Sequence, residues 1–181
     1  MSVRAHTKFA PAERASWEQL YQQIATLNRN SALQCTLQDA PQRILVLNAQ
    51  RQIVYANKAT LGTLELEDPA KIYGCRPGEV LGCMHADQGE GGCGTSKECR
   101  LCGAVNAVLR GLSGRADVQK CKITRQIDAP PLNLVVHSIP LSVAEMAMCL
   151  VTLGISDSES PAQIAKNTFT IQHYAALIEQ D

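Results

Sequence analysis

Apolar residues recur every three or four positions in two segments near the ends of the chain. Residues 11–31 carry one such stripe and Pro161 to Gln180 carries the other. Pro11 suits a first helical turn, because proline has no amide hydrogen to leave unpaired there. The spacing therefore predicts a helix in each segment. The apolar positions are Trp17, Leu20, Ile24 and Leu27 in the first, and Ile164, Phe169, Ile171, Tyr174, Ala175 and Ile178 in the second.

Between these helices the pattern changes to short β-rich runs. Arg43 to Leu47 and Gln52 to Tyr55 flank a polar turn and predict a β-hairpin. A small helix follows from Ala56 and is limited by Gly62, and helical spacing returns from Leu101 to Leu112. The remaining strand candidates, separated by Pro130-Pro131 and Pro140, are Ala116 to Ile127, Leu132 to Ile139 and Met146 to Ile155.

This order of elements predicts an α+β fold. A hairpin and a three-strand meander favour one five-stranded antiparallel sheet with helices on one face, flanked by N- and C-terminal helices. A chain of 181 residues is long enough for one domain with such flanks. We divide it into an N-terminal dimerisation helix (1–36), a central domain (40–157) with a cysteine-rich insert (75–102), and a C-terminal output helix (160–181).

Charge and hydropathy limit the expected partners and cellular location of the protein. Lys plus Arg equals Asp plus Glu at 17 each, and no stretch of the sequence is strongly basic. Nucleic acid is therefore disfavoured as a partner, because binding to phosphates needs a basic face. The N-terminus lacks the apolar core of a signal peptide, and residues 146–155 are about half a membrane span. We therefore expect a cytoplasmic protein with no membrane segment. In a reducing compartment its eight cysteines point to metal or redox chemistry before structural disulfides.

The cysteine-rich insert cannot form a hydrophobic core of its own. From Gly82 to Arg100 there is no Leu, Ile, Val, Phe, Tyr or Trp. Ordering these residues costs on the order of 20–40 kcal/mol, at roughly 1–2 kcal/mol each. A structural zinc ion returns roughly 10–16 kcal/mol in small peptides. A bound metal would thus help to order part of this insert.

The simplest complete ligand set is four thiolates, Cys83, Cys93, Cys99 and Cys102. Cys99 and Cys102 begin a predicted helix, whose free amides stabilise thiolates. Glycines at 89, 91, 92 and 94 let backbone amides approach Cys93, an environment that iron–sulfur clusters favour. We therefore expect an iron–sulfur cluster, most simply [4Fe–4S]. Further candidate ligands or supporting groups are Cys75, His85 and Cys121.

Other uses of these thiols remain open at this stage. Zinc would use the same atoms, with His85 as a substitute ligand, although zinc ribbons usually carry two Cys-x-x-Cys knuckles and this chain has one. A metal-free thiol–disulfide switch and ordinary reduced cysteines are the other interpretations.

Several motifs resemble the PAS domain family. The run ILVLNAQRQIVYAN leading into a short helix resembles its second strand and first helix, and VTLGISD resembles its last strand. More narrowly, RPGE, LGCMHA and GGCGTSKECRLCGAVNAVL resemble a subgroup of bacterial PAS sensors with a cysteine-rich insert, several joined to histidine kinases. The match falls on Cys83, His85, Cys93, Cys99 and Cys102, with Cys121 in the following strand.

This resemblance implies signal reception and a partner such as a histidine kinase or another regulator. The thiol cluster makes redox state or oxygen the expected signal, and exposed terminal helices favour a homodimer. The sequence departs from the kinase members because it contains no ATP-binding domain. It also contains no Ser/His/Asp set, phosphate loop or paired catalytic carboxylates, so we expect no enzyme. The alternatives are a zinc-stabilised adaptor and, least favoured, an enzyme with a cysteine nucleophile.

The other candidate residues have simpler interpretations. Cys35 and Cys149 are expected to be packed or incidental thiols, and Cys121 shares strand parity with Ile123 and should point inward. His137 is expected to be a hydrogen-bonded core histidine and His173 an exposed helix residue. Arg76 and Glu79 form either a structural turn or a pair that orients the insert.

Overall fold

The computed structural model describes residues 7–125, 129–155 and 160–181. Five strands form one antiparallel sheet in the order β2-β1-β5-β4-β3. This is the predicted α+β sheet. The strands are β1 (Arg43–Asn48), β2 (Ile53–Ala56), β3 (Asp117–Ile123), β4 (Leu132–Val143) and β5 (Met146–Ile155). The helices are α1 (Trp17–Arg29), α2 (Lys58–Thr63), α3 (Pro77–Val80), α4 (Gly103–Leu112) and α5 (Pro161–Glu179).

Both faces of the sheet are buried, because side chains alternate between them along each strand. In β1, Ile44 and Val46 face the terminal helices α1 and α5. Leu45 and Leu47 face the opposite side, where α4 packs. The central helices thus cover one face, and the flanking helices cover the other. The cysteine-rich insert lies on the α4 side.

The N-terminal helix begins later than its apolar spacing predicts. Ser16 caps it through a reciprocal pair of hydrogen bonds with Gln19, so α1 starts at Trp17 and the expectation of a helix from Pro11 is wrong. The preceding residues instead bond to the insert through Lys8 N–H to Thr95 O and Ala10 N–H to Gly94 O. These tertiary hydrogen bonds hold the segment in a non-helical conformation.

Two residues assigned to the apolar stripes are exposed. Trp17 is 70% exposed and Phe169 is 75% exposed, whereas Leu20 and Ile171 are buried as predicted. The stripe on each terminal helix is therefore narrower than the sequence pattern suggests.

Pro140 does not end its strand, contrary to expectation. β4 continues to Val143, and Pro140 pairs with Cys149 of β5. The β3 partner of β4 ends at the Asp117–Ser138 pair. Beyond Ser138 no strand of the described residues pairs with that side of β4, so a proline without an N–H costs no ladder hydrogen bond there.

The remaining differences concern element boundaries. Asn57 caps the small helix, which therefore starts at Lys58 rather than Ala56. The helix continues to Thr63, although Gly62 was expected to end it. α4 starts at Gly103 because Glu98–Leu101 is a separate 3-10 turn. β3 ends at Ile123, and Ile127 lies outside the described residues.

No helix in the described part of the chain is long and apolar enough to span a membrane.

Candidate metal centre

A cavity of about 230 Å³ lies between the insert, α4 and the sheet. All four predicted ligand thiols line it: Cys83, Cys93, Cys99 and Cys102. Apolar side chains from α4 and the sheet form the rest of its wall, among them Val105, Val108, Val136 and Val151. Residues that are spread over 20 positions of sequence thus meet around one partly open cavity.

Burial disfavours the ionised form of two of these thiols, Cys83 and Cys93. Burial raises the pKa of Cys93 to about 12, and it also raises the pKa of Cys83. Cys99 is buried, with its Sγ 3.2 Å from the Ser96 hydroxyl oxygen. A low-dielectric site disfavours the thiolate unless positive charge or hydrogen-bond donors compensate.

Backbone amides supply such donors to three of the four sulfurs. The amide of Gly78 bonds to Cys93, those of His85 and Ala86 to Cys83, and those of Ala104 and Val105 to Cys102. The amide that bonds to the Cys93 sulfur therefore belongs to α3. The sequence suggests the glycines next to Cys93 instead. A Cβ on Gly78 would lie 2.6 Å from the Cys93 sulfur. Only glycine permits this approach.

Cys121 points inward next to Ile123, as its strand parity predicts, and contacts Cys102. Their sulfur atoms are 3.6 Å apart. The hydrogen bond between them raises the pKa of Cys102 and lowers that of Cys121, because a proton on one thiol stabilises a thiolate on the other.

The two other candidate ligands lie in different places. His85 lines the cavity, and its Nδ1 is 2.8 Å from the Gln88 side-chain oxygen. Cys75 does not line the cavity, and the charged groups that influence it are Glu79 and Arg14 rather than the other thiols. Burial raises the pKa of Cys75.

The thiols surround the cavity without converging on one point. Among residues 7–125, 129–155 and 160–181, no three His, Cys, Asp or Glu side chains form a group that could hold a metal ion. The cysteines therefore line a cavity but do not form a compact site for a single ion.

Arg76 organises the insert. It is fully buried, and its guanidinium donates to the carbonyl oxygens of Gly91 at 2.7 Å and Cys93 at 3.2 Å. It also donates to four carbonyls outside the insert, those of Gln50, Pro11, Ala12 and Glu13. Burial lowers the pKa of Arg76 to about 10. One side chain therefore joins the insert, the β1–β2 turn and the N-terminal segment.

Glu79 is both a structural cap and an orienting group. Its carboxylate accepts from the amide of Arg76 at 2.8 Å and from the amide of Cys93 at 3.1 Å. It also forms an ion pair with Arg14. Burial alone would raise the pKa of Glu79, but these hydrogen bonds outweigh it and lower the pKa.

Arg51 lines the cavity and carries a buried donor that no described residue pairs with. The residue is 4% exposed and lines the cavity, and one guanidinium nitrogen donates to the Pro11 carbonyl at 2.6 Å. Its Nε has no partner among the described residues. Burial lowers the pKa of Arg51, while the nearby Cys93 raises it. A buried donor beside thiols is the arrangement expected for an anionic occupant.

Sequence reasoning missed Arg51, which lies in a predicted turn, where charged residues are normally solvated. It named Arg76 with Glu79 as a structural turn or a pair that orients the insert, and the structure shows both roles. The contacts of Arg76 with the N-terminal segment were not predicted, because they join residues that are distant in sequence.

Cys35, Cys149, His137 and His173 do not line the cavity. Cys35 and His173 are exposed and Cys149 is fully buried, as expected. His137 is 1% exposed and its Nδ1 lies 3.1 Å from the Thr168 hydroxyl. Because that hydroxyl donates to the Ile164 carbonyl, Nδ1 is the donor to Thr168. Its Nε2 has no partner in the described part of the chain, so His137 is only half satisfied.

Comparison with known proteins gives structural relatives only. No family model and no curated protein matches the chain. The LOV protein of Rhodobacter sphaeroides has a TM-score of 0.54 at 10% identity, covering 90% of this chain and 83% of that one. A variant of the same protein, RsLOV d2, has a TM-score of 0.52 at 12% identity, with coverage of 90% and 83%.

A further solved structure has a lower score. The PAS domain of an HTR-like protein from Haloarcula marismortui has a TM-score of 0.47 at 18% identity, covering 78% of this chain and all of that one. Identities at this level establish the fold alone. With its five strands in the order β2-β1-β5-β4-β3 and its central helices on one face, this chain has the PAS fold.

Proposed function

We propose that this chain is a sensory PAS module that binds an iron–sulfur cluster through Cys83, Cys93, Cys99 and Cys102 and responds to redox state or oxygen. One observation carries the proposal: the four thiols line a single cavity, and three of their sulfurs receive hydrogen bonds from backbone amides. Thiolate ligands with amide donors are the surroundings in which such clusters are stabilised and tuned.

The residues present fit this group in two further respects. The four cysteines line one cavity, as the ligands of one cluster must. Arg51 also lines the cavity with a buried positive charge that is close enough to Cys93 and Cys99 to interact with them, as an anionic thiolate site requires. When bound, the cluster would supply one-electron redox chemistry and sensitivity to oxygen.

The chain's own residues offer a route from this site to the N-terminal helix. Arg76 bonds to the carbonyl of Cys93 and to those of Ala12 and Glu13, only a few residues before α1. Arg14 bonds to Glu79, which accepts from the Cys93 amide. A change in the backbone around Cys93 would therefore alter the contacts that hold residues 8–14 and the start of α1.

In this proposal α1 and α5 pass the change to a partner, which the resemblance suggests is a histidine kinase or another regulator, and the chain works as a homodimer. The test is hydrogen exchange on anaerobically purified protein before and after exposure to air. We expect faster exchange in residues 8–14 and 88–97 after oxidation, with β4 and β5 unchanged as an internal control. Metal-containing protein whose exchange is the same in both states would refute the sensing function.

A further inference from the structure

Cys102 and Cys121 form a thiol pair that the four-ligand set does not explain. Cys102 precedes α4, and Cys121 lies in β3, so the two come from different elements. Their sulfurs are 3.6 Å apart and the amide of Ala104 hydrogen-bonds to both. A disulfide needs a sulfur–sulfur distance of about 2.05 Å, so a movement of about 1.5 Å closes the gap.

The fold holds the two elements at this separation. α4 begins so close to β3 that a Cβ on Gly103 would lie 2.1 Å from the Lys120 carbonyl oxygen. Lys120 and Gly103 are the chain neighbours of Cys121 and Cys102. The absence of a side chain at position 103 therefore brings the two cysteines together.

We propose that Cys102 and Cys121 form an intramolecular disulfide when the cluster is absent and the protein meets a peroxide. The bond ties the start of α4 to β3 and removes Cys102 from the ligand set. The pair is thus a second, covalent oxidised state of the same insert. Its formation requires the two thiols and an oxidant, and does not require that a cluster was ever bound.

The chemistry balances with hydrogen peroxide as the oxidant. Cys102 is half-buried and lines the cavity, whereas Cys121 is buried, so the peroxide reaches Cys102 first. Its sulfur attacks one peroxide oxygen, the O–O bond breaks, and a sulfenic acid and one water form. The Cys121 sulfur then attacks the Cys102 sulfur, the S–S bond forms, and the oxygen leaves with the Cys121 proton as a second water.

Tryptic fragments of the full chain separate the thiols well. Cys102 falls in residues 101–110, Cys121 in 121–122 and Cys99 in 98–100, whereas Cys75, Cys83 and Cys93 share residues 72–97. The experiment treats chelator-stripped, reduced full-length protein with limiting hydrogen peroxide, blocks free thiols, digests it without reductant and identifies linked fragments by mass spectrometry.

We expect most oxidised Cys102 in a 101–110 fragment joined to 121–122, lighter than the two free fragments by two hydrogen atoms. Cys35→Ser, which removes an exposed cysteine, should leave this product unchanged. Gly103→Ala keeps both thiols but pushes α4 away from β3, so it should slow the linkage by an order of magnitude or so relative to the wild type.

Linkage of Cys102 mainly to residues 98–100 or 72–97 would overturn the proposal, as would thiols at 102 and 121 that remain free after peroxide treatment. The assay uses metal-free protein, so its outcome is separate from the iron content of the native protein. Either proposal can fail while the other stands.

Discussion

The Arg76 guanidinium donates to the Cys93 carbonyl oxygen at 3.2 Å and, through its other nitrogen, to the Glu13 carbonyl at 2.9 Å. A fully buried cation thus bridges a predicted ligand and the segment that leads into α1. A cation in this position is stable only because backbone carbonyls surround it. The same contacts hold together the insert, which has almost no apolar side chains.

Replacement of Arg76 by lysine should destabilise the whole domain. Lysine keeps the charge but has one nitrogen, so several carbonyls that Arg76 now serves would lose their donor, at about 1–3 kcal/mol for each orphaned group. We expect the free energy of unfolding in urea to fall by at least about 3 kcal/mol. Arg115→Lys, at an exposed position, is the matched control and should change it by less than about 0.5 kcal/mol. Equal effects for the two variants would contradict the bridging role.

Arg51 should set the reduction potential of the proposed cluster. A nearby positive charge favours the reduced, more negative state, so Arg51→Gln should lower the midpoint potential by tens of millivolts. Arg51→Lys keeps the charge and should recover most of the shift. Potentiometric titration followed by visible absorption measures both. An unchanged potential in Arg51→Gln would mean that the guanidinium does not face the bound group.

The cavity defines which cysteines should matter for metal content. Serine at position 83, 93, 99 or 102 should remove most of the iron and sulfide from anaerobically purified protein, because each of these thiols lines the cavity. Cys75→Ser should retain both, since Cys75 lies outside the lining. The measurement is the iron and sulfide content per folded chain of each variant. If Cys75→Ser lost its iron and Cys83→Ser retained it, the proposed ligand set would be wrong.

His137 should make folding sensitive to acid. Burial lowers its pKa below the usual value near 6.5, so the unfolded chain binds a proton more readily than the folded one. Stability from this residue is present above about pH 6.5 and is lost as the pH falls toward the folded-state pKa. Urea midpoints between about pH 7.5 and about pH 5 should therefore decline less in His137→Gln than in the wild type.

His173→Gln is the control for this experiment, because His173 is exposed on the same helix that contacts His137 through Thr168. Its pH profile should match the wild type. If His137→Gln and the wild type lose stability in parallel, the histidine is not responsible for the acid sensitivity.

The sequence predicts the sheet well because its strands are buried on alternating faces and end in recognisable turns. It predicts boundaries poorly where tertiary contacts override local signals. Pro140 is tolerated because β3 has already ended beside it, and residues 8–14 stay outside α1 because Lys8 and Ala10 bond to the insert. Neither fact is encoded in the local pattern.

The sequence identified the cysteines of the candidate site but not the long-range contacts of the residues that support them. Clustered cysteines in an apolar-poor segment identify Cys83, Cys93, Cys99 and Cys102, and the structure places all four on one cavity. The roles of Arg51, Arg76 and Gly78 depend on elements that are distant in sequence, so no spacing rule reports them. The 3.6 Å contact between Cys102 and Cys121 likewise exists only after α4 docks on β3.

The most direct test of the central claim is metal and sulfide analysis of the full chain purified without oxygen, together with its visible spectrum. The account predicts a brown protein with comparable amounts of iron and acid-labile sulfide, and absorption that bleaches with dithionite. A colourless protein with one zinc per chain and no sulfide would contradict it and would make the cysteine-rich insert a structural zinc site.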